Sequence, residues 1–229
     1  MSDAEVVVIG GGAAGVAALR TLVDAGKNAL LLEAGDRLGG RAHTVSIAGM
    51  PLDLGAGWLH SAEHNPWVAI AEATGFTVDR TLPRWLQQWR ELGFPEAEQK
   101  AAGQAFGAFH QRLHTLQGDR AADALVPACE WNDYLDALSG FINGAPVARI
   151  SASDYLAYMD AATETDWRVE QGYGALVSAH AARLPVSLST PVTAIRTTGK
   201  RLRIETARGA LAADAAIVTA STNVLAAGA

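Results

Sequence analysis

Glycines near the amino terminus have the spacing of a phosphate-binding turn. The stretch GGGAAG fits the pattern G-x-G-x-x-G through Gly10, Gly12 and Gly15. In such a turn the first glycine allows a tight bend, the second lets backbone approach a pyrophosphate, and the third lets a helix pack closely on a strand. A helix that begins there directs free N–H groups and a partial positive charge at the phosphates. The stretch therefore predicts a dinucleotide site.

An acidic residue follows at a suitable distance. Glu33 lies eighteen residues after Gly15, where its carboxylate can accept hydrogen bonds from ribose hydroxyls. The same negative charge would repel a 2′-phosphate, which favours FAD or NAD over NADP. The alternative interpretation of Glu33 is a solvated acid at the end of a strand.

A second glycine stretch, DRLGGR, comes directly after this acid. Gly39 and Gly40 remove side chains that would keep a ligand away from the backbone, while Arg37 and Arg41 offer forked donors to phosphate oxygens. A domain that binds only NAD needs no such stretch, whereas FAD extends further beyond the first helix. The pattern favours FAD as the cofactor. Solvated surface arginines are the alternative.

The surrounding residues predict the elements that would hold these groups. Glu5 to Ile9 is an unbroken apolar run, typical of a parallel strand buried on both faces, and Ala29 to Leu32 is a second one. Between them lies an amphipathic helix that ends near Gly26. The order strand, helix, strand predicts a βαβ unit with parallel strands.

In the rest of the chain, the pattern of apolar and polar residues changes twice. Residues after His43 alternate as in a hairpin with its turn near Ala48-Gly49, and residues 66–159 are alanine-rich with helical spacing. Over Leu82 to Trp89 the pattern fits either a helix or an edge strand. The segments VSLST, VTAIR, RLRIET and AAIVTA then predict strands, the last of them in the sheet core.

The predicted fold class is α/β. It is a Rossmann-like FAD-binding domain, made of a parallel sheet and a β-meander, with an inserted, mainly helical part of a substrate domain. The expected boundaries are residues 1–80 for the first part of the FAD-binding domain, 81–184 for the insertion and 185–229 for the return segment.

The composition excludes some classes of protein. The chain is 49% hydrophobic and 18% charged, with a formal net charge of −6, which argues against a nucleic-acid partner. Its first residues lack a cationic start and a long apolar run, so we expect no signal peptide and no membrane segment. The single Cys129 forms no internal disulfide, which is typical of a reducing compartment, and we expect a cytoplasmic protein. No grouping of histidine, cysteine and carboxylate suggests a metal site.

Three segments together resemble a known family. VVVIGGGAAGVAALRTL, LLEAGDRLGGRAHT and PLDLGAGWLH, in this order, resemble the N-terminal half of the flavin-containing amine oxidase superfamily. That superfamily includes monoamine and polyamine oxidases and, more distantly, protoporphyrinogen oxidase and phytoene desaturases. The segment from Gly172 to Ala226 resembles the family's return to its FAD domain. The resemblance is strong at both ends of the chain and weak in the middle.

The resemblance implies roles for particular residues. The residues that would hold the ADP and pyrophosphate portions of FAD are Gly10, Gly12, Gly15, Glu33, Arg37, Gly40 and Arg41. Those that would lie beside the isoalloxazine ring are Gly55, Ala56, Gly57 and Trp58. The backbone of Val192 would meet the adenine, and Thr219 and Ala220 would end a strand that passes close to the cofactor.

The resemblance also implies an activity. A small-molecule amine would pass a hydride to the flavin, and oxygen would accept the electrons and give hydrogen peroxide. The family's lysine near the flavin and its substrate-flanking aromatic residues would lie beyond residue 229, so we expect an N-terminal portion that lacks part of the active site. No catalytic residue is assigned. His60 and His64 could act in acid–base chemistry, or be ordinary loop histidines.

Other interpretations stay open at this point. A flavin-dependent desaturase or protoporphyrinogen-type oxidase would use the same cofactor on an apolar substrate. A non-catalytic nucleotide-binding remnant would keep the sheet without an active site. A dehydrogenase that uses only NAD is a further alternative, but it leaves DRLGGR without a role.

Overall fold

The computed structural model describes residues 3–83, 93–197 and 199–228. The chain divides into two compact units. The sheet unit comprises Met1–Thr81 and Asp166–Ala229, and the helical unit comprises Leu82–Thr165. The expected choice between helix and edge strand falls largely on residues 84–92, which lie outside the described residues.

The sheet unit begins with the predicted βαβ arrangement. Its elements before the helical unit are β1 (Ala4–Ile9), α1 (Ala13–Asp24), β2 (Ala29–Leu32), β3 (Thr44–Ile47), β4 (Met50–Asp53), α2 (Pro66–Ala73) and β5 (Val78–Asp79). Strands β1 and β2 are parallel, with Val6 opposite Ala29. β3 and β4 form the predicted hairpin, whose turn residues Ala48 and Gly49 both have positive φ, as a tight hairpin turn requires.

The helical unit has a core of its own. Its helices are α3 (Glu96–His114), α4 (Asn132–Asn143) and α5 (Ala152–Ala161), with short 3₁₀ turns at Ala121–Ala124 and Val147–Arg149. Phe109 and Leu113 of α3 are buried together with Leu135 and Tyr155, as their helical spacing predicts. No helix in the described ranges is long and apolar enough to cross a membrane.

The second part of the sheet unit returns to the same sheet. Its elements are β6 (Arg168–Val169), α6 (Tyr173–His180), β7 (Val186–Ser187), β8 (Val192–Arg196), β9 (Leu202–Thr206), β10 (Gly209–Val218) and α7 (Thr222–Ala226). The strand order is β7-β2-β1-β10-β9-β8. β7, β2, β1 and β10 are parallel neighbours, and β8, β9 and β10 form the antiparallel meander, which confirms the predicted Rossmann-like fold class.

β1 is apolar because both of its faces are covered. Val8 is fully buried in a cluster that includes Val16 and Leu19 of α1. Val7, pointing the other way, is fully buried with Ile204 and Leu211 of the meander. Alternate residues of the strand therefore enter two different cores, as expected for a central parallel strand.

β10 differs from the expected core strand in one respect. Its first half pairs with β9 and buries Leu211 and Ala213. Its second half pairs only with β1, and Ile217 and Val218 remain 37% and 43% exposed. Residues Ala215 to Val218 of the segment AAIVTA form a strand as predicted, but Thr219 and Ala220 lie beyond its end, and no described element covers Ile217 and Val218.

The return to the sheet unit comes earlier than residue 185. Residues 166–184 group with the sheet unit, because β6 pairs with β5 and α6 packs against α1. The guanidinium of Arg20 on α1 donates to the carbonyl oxygen of His180 at 2.7 Å. α6 contains alanine, as the inserted helices do, so alanine content alone does not mark the change.

Candidate cofactor-binding site

The first glycine turn joins β1, α1 and the end of β10. Gly10 has a φ of 107°, which favours glycine. A Cβ on Gly15 would lie 1.9 Å from the carbonyl oxygen of Gly10. The hydroxyl of Thr219 donates to that same oxygen at 3.0 Å. Gly10 and Gly15 are therefore required by the packing of the protein itself.

Gly12 is different because no contact in the described part of the chain requires glycine there. Its backbone is extended, with φ −75° and ψ −178°, a conformation open to most residues. A Cβ placed there would meet no other heavy atom of the described chain within 4 Å. Gly12 also precedes the first turn of α1, where no side chain caps the helix and no acidic residue is present. The free N–H groups at this end thus face open space beside Gly12.

The second glycine stretch lies directly on the first. The backbone N–H of Gly39 donates to the carbonyl oxygen of Gly11 at 2.8 Å, and Gly39 forms a bridge with Gly12. A Cβ on Gly40 would stand 3.2 Å from the Cα of Gly12. Both glycines have positive φ. The structure therefore joins the two predicted openings into one surface at the tip of α1, which fits a phosphate ligand.

Glu33 has a role that its sequence position did not indicate. Its carboxylate accepts a hydrogen bond from the N–H of Gly11 at 2.5 Å and another from the N–H of Gly35 at 2.7 Å. It thereby fixes the middle residue of the glycine turn. A carboxylate has about four acceptor positions, so it retains room for a ribose hydroxyl.

The two arginines of the second stretch are used differently. The guanidinium of Arg37 donates to the carbonyl oxygens of Gly40 at 2.8 Å, Leu38 at 3.2 Å and Ala42 at 3.4 Å. Arg37 therefore braces its own loop, and most of its donors are occupied. The exposed side chain of Arg41 has no hydrogen-bond or ionic partner within the described ranges. Arg41 is thus the cation available to a ligand.

A third glycine loop is attached to the second. The N–H of Ala56 donates to the carbonyl oxygen of Arg41 at 2.9 Å, and a Cβ on Gly55 would lie 2.0 Å from that oxygen. Asp53 fixes the other side: its carboxylate accepts from the backbone N–H groups of Tyr173 at 2.9 Å and Gly174 at 3.3 Å. Asp53 was not among the predicted site residues, although its position between a strand and a glycine loop was a usable signal.

This third loop borders a cavity of about 450 Å³. Pockets of this size hold small organic ligands. Its lining residues are Pro51, Leu52, Asp53, Gly55, Gly57, Trp58, Asp79, Arg168, Val169, Glu170 and Gly172. Three of the four residues expected beside a flavin ring are in this wall, and Ala56 is not among them.

Charged side chains line one side of the cavity. The guanidinium of Arg168 lies 5.1 Å from the ring centre of Trp58 and donates to Asp79 at 2.6 Å. Hydrogen bonds from the Thr81 hydroxyl and backbone N–H, together with Arg168, lower the pKa of Asp79 to about 2. Asp79 is therefore ionised at neutral pH, and it keeps Arg168 against the tryptophan ring.

The segment before β8 lies along the acid-bearing end of β2. The N–H of Thr190 donates to the carbonyl oxygen of Glu33 at 2.8 Å, and the N–H of Ser189 donates to that of Gly35 at 2.7 Å. Val192 follows two residues later, half-buried against the core that contains Val7. The structure thus brings Val192 to the Glu33 side of the site, away from the cavity lining.

The two candidate histidines do not line the cavity. The Nδ1 atom of His60 lies 2.6 Å from a carboxylate oxygen of Asp166, and the ring is largely exposed. The backbone N–H of His64 closes a turn onto Ser61. Neither position supports an acid–base role at the described site.

Comparisons with known proteins agree with this architecture. Residues 8–73 match the family described as NAD(P)-binding Rossmann-like domain, and residues 108–228 match flavin containing amine oxidoreductase. Polyamine oxidase 2 of Arabidopsis thaliana is 47% identical over 77 residues, 33% of this chain and 16% of that protein. Pseudooxynicotine dehydrogenase of Pseudomonas sp is 28% identical over 265 aligned residues, 97% of this chain and 52% of that protein.

Solved structures of putrescine oxidase share the fold. A double mutant superimposes with a TM-score of 0.73 at 16% identity, covering 99% of this chain and 60% of that one. The wild type bound to putrescine gives a TM-score of 0.67 at 17% identity. The chain thus spans at most about half the length of the two curated relatives named above. The match over residues 108–228 covers more than half of the chain, which belongs to the family of flavin-containing amine oxidoreductases.

Proposed function

We propose that the chain binds FAD and takes part in the oxidation of an amine, with oxygen as electron acceptor. One observation carries the cofactor proposal: two glycine stretches meet at the uncapped end of α1, where Gly12 faces open space. No contact among the described residues requires glycine at that position. A pyrophosphate lying over the turn would require it, because the backbone must then come into contact with the phosphates.

The length of the surface favours FAD over NAD. It begins at Glu33, crosses the tip of α1, continues over Gly39 and Gly40, and reaches the loop of Gly55. From there the cavity beside Trp58 offers room for a flat ring system. A ligand with a ribityl chain between its pyrophosphate and its ring would use every part of this surface.

Each group of the chain then has a physical task. The N–H groups at the start of α1 and the guanidinium of Arg41 neutralise the pyrophosphate. Glu33 holds Gly11 in place and accepts a ribose hydroxyl. Trp58, held by Arg168, forms one wall for the ring and keeps water from it. When bound, FAD would supply the two-electron oxidation, while these residues bind and orient it.

The substrate we propose is a cationic amine. The cavity lining contains the acids Asp53, Asp79 and Glu170 and one cation, Arg168. Glu170 is exposed and its side chain has no partner in the described part of the chain. A negatively charged wall attracts an ammonium group. Polyamine oxidase 2 and putrescine oxidase, named among the similar proteins, carry the names of amines of this type.

The test measures cofactor binding and amine oxidation separately. The purified chain, refolded with FAD, should retain the visible flavin absorption band after gel filtration, and NAD should not displace the flavin. Loss of the band in every preparation would refute the cofactor proposal. Hydrogen peroxide release with polyamines would support amine oxidation. Oxidation of a carotenoid or a porphyrinogen instead would favour the desaturase alternative.

We also propose a cytoplasmic location. It rests on the single unpaired Cys129, which suits a reducing compartment. Fluorescence microscopy of the tagged protein would test it, and recovery in a secreted fraction would contradict it.

A further inference from the structure

The helical unit contains a cluster of side chains that the amine chemistry does not use. His110 and His114 lie four residues apart on α3, and Asp160 lies near the end of α5. One potential ligand atom from each side chain falls within 4.8 Å of the other two. The Nε2 atoms of the two histidines are 3.1 Å apart, and Nε2 of His114 is 3.6 Å from a carboxylate oxygen of Asp160. The sequence pattern did not indicate a metal-binding group.

We propose that these three side chains bind one Zn²⁺ ion that bridges α3 and α5. Zinc takes histidine nitrogens and carboxylate oxygens at about 2.0–2.2 Å in a tetrahedral arrangement. Two nitrogens bound in that way stand roughly 3.3 Å apart. The observed spacings of 3.1 Å and 3.6 Å lie on either side of this value, so small side-chain movements would complete the site.

The helix geometry explains why the histidines converge. Residues four apart share one face of a helix, and each histidine follows a buried apolar residue, Phe109 or Leu113. The two histidine side chains therefore lie at the edge of the buried core, beside α5. His110 also contacts the ring of Tyr155 on α5, with ring centres 6.0 Å apart, which limits the directions its imidazole can take.

The donor set selects the class of ion. Two imidazoles and one carboxylate suit Zn²⁺ and its late first-row neighbours, whereas Mg²⁺ and Ca²⁺ prefer oxygen ligands. The side chains of His114 and Asp160 are 45% and 56% exposed, so water can reach the ion and supply the fourth ligand. With one ligand from a different helix, the bound ion would act as a clamp within the helical unit.

A competing explanation is a purely polar contact. One imidazole can donate to the other, and a protonated His114 can pair with Asp160. That arrangement needs no ion. It predicts that removing either histidine leaves zinc affinity unchanged, and the experiment below separates the two cases.

The test is calorimetric titration of the chelator-treated chain with ZnCl₂. We expect one Zn²⁺ per chain and a loss of affinity of at least about tenfold in His110→Ala, His114→Ala and Asp160→Asn. His64→Ala and Asp154→Asn, which remove a histidine and an acid outside the cluster, should bind as the wild type does. MgCl₂ should give no saturable heat.

Two further measurements keep the result interpretable. Circular dichroism of each metal-free variant shows whether it is folded. If a histidine variant is not folded, the Zn²⁺ affinity of Asp160→Asn is compared with that of the wild type instead. Co²⁺ in place of Zn²⁺ should give visible absorption bands of a tetrahedral site, lost in His114→Ala. Absence of saturable Zn²⁺ binding, or equal affinity in the wild type and a folded His114→Ala, would overturn the proposal.

Discussion

Replacing Gly12 by alanine should weaken flavin binding at least about tenfold while leaving the fold intact. The position has φ −75° and ψ −178°, which alanine adopts without strain, and the added methyl group would meet no described heavy atom within 4 Å. The methyl group would instead occupy the space over the glycine turn. A pyrophosphate that rests on the backbone there would be pushed away from the N–H groups of α1.

The stability change is small because two effects oppose each other. Alanine restricts the unfolded chain and stabilises by about 0.4–1 kcal/mol at a compatible position. Alanine is also a poorer residue than glycine before a helix, which costs up to about 1 kcal/mol. The net change should stay within about 1 kcal/mol, or a Tm shift of about 4 °C at most for a chain of this size.

Gly15→Ala provides the matched control. There the methyl carbon would lie 1.9 Å from the carbonyl oxygen of Gly10 and 2.8 Å from the hydroxyl of Thr219. Helix and strand must separate to admit it, at a cost of about 1–3 kcal/mol or more. Gly15→Ala should therefore lower the Tm by several degrees, whereas Gly12→Ala should not.

The assay combines thermal unfolding with FAD titration by flavin fluorescence. For Gly12→Ala we expect a near-unchanged Tm and a Kd raised at least about tenfold, which is about 1.4 kcal/mol of binding free energy. A folded Gly12→Ala chain with the FAD affinity of the wild type would refute the reasoning, because the pyrophosphate could not then rest on this turn.

Three substitutions test the neighbouring charges. Arg41→Gln should weaken FAD binding about tenfold or more with no change in Tm, since Arg41 has no partner in the described ranges. Arg37→Gln should lower the Tm, because its guanidinium holds three carbonyl oxygens of its loop; the reverse pattern in these two variants would contradict their assignment. The pKa of Asp79 falls from 3.8 to about 2 on folding, so its contribution to stability is present above pH 3.8 and is lost as the pH falls towards 2. Asp79→Asn should make unfolding less dependent on pH in that window, as followed by circular dichroism. An unaltered acid profile would argue against the contacts of Asp79 with Thr81 and Arg168.

The parts of the fold that sequence could predict depend on local rules. β1 is recognisable because a strand buried on both faces must be apolar throughout, and the glycine turn is recognisable because backbone contacts such as that of Gly15 with Gly10 exclude every other residue. The hairpin turn is predictable because Gly49 readily adopts the positive φ that a tight turn requires.

The parts that sequence could not predict depend on distant partners. Arg37 was expected to meet phosphate, but the left-handed backbone of Gly39 and Gly40 brings loop carbonyls within its reach. Glu33 accepts a hydrogen bond from the N–H of Gly11, 22 positions earlier in the sequence, which no local pattern indicates. The cluster of His114 and Asp160 exists only because α3 and α5 pack together, 46 positions apart in the sequence.

The position of β1 has a consequence for how the chain acquires its structure. β1 lies between β2, which follows after one helix, and β10, where Val8 pairs with Ile217. During synthesis, one edge of β1 therefore stays unpaired until the residues up to Val218 have left the ribosome. Such late, non-local pairing slows folding and leaves an aggregation-prone intermediate exposed. Chaperone demand and refolding yield should therefore depend chiefly on when β10 joins the sheet.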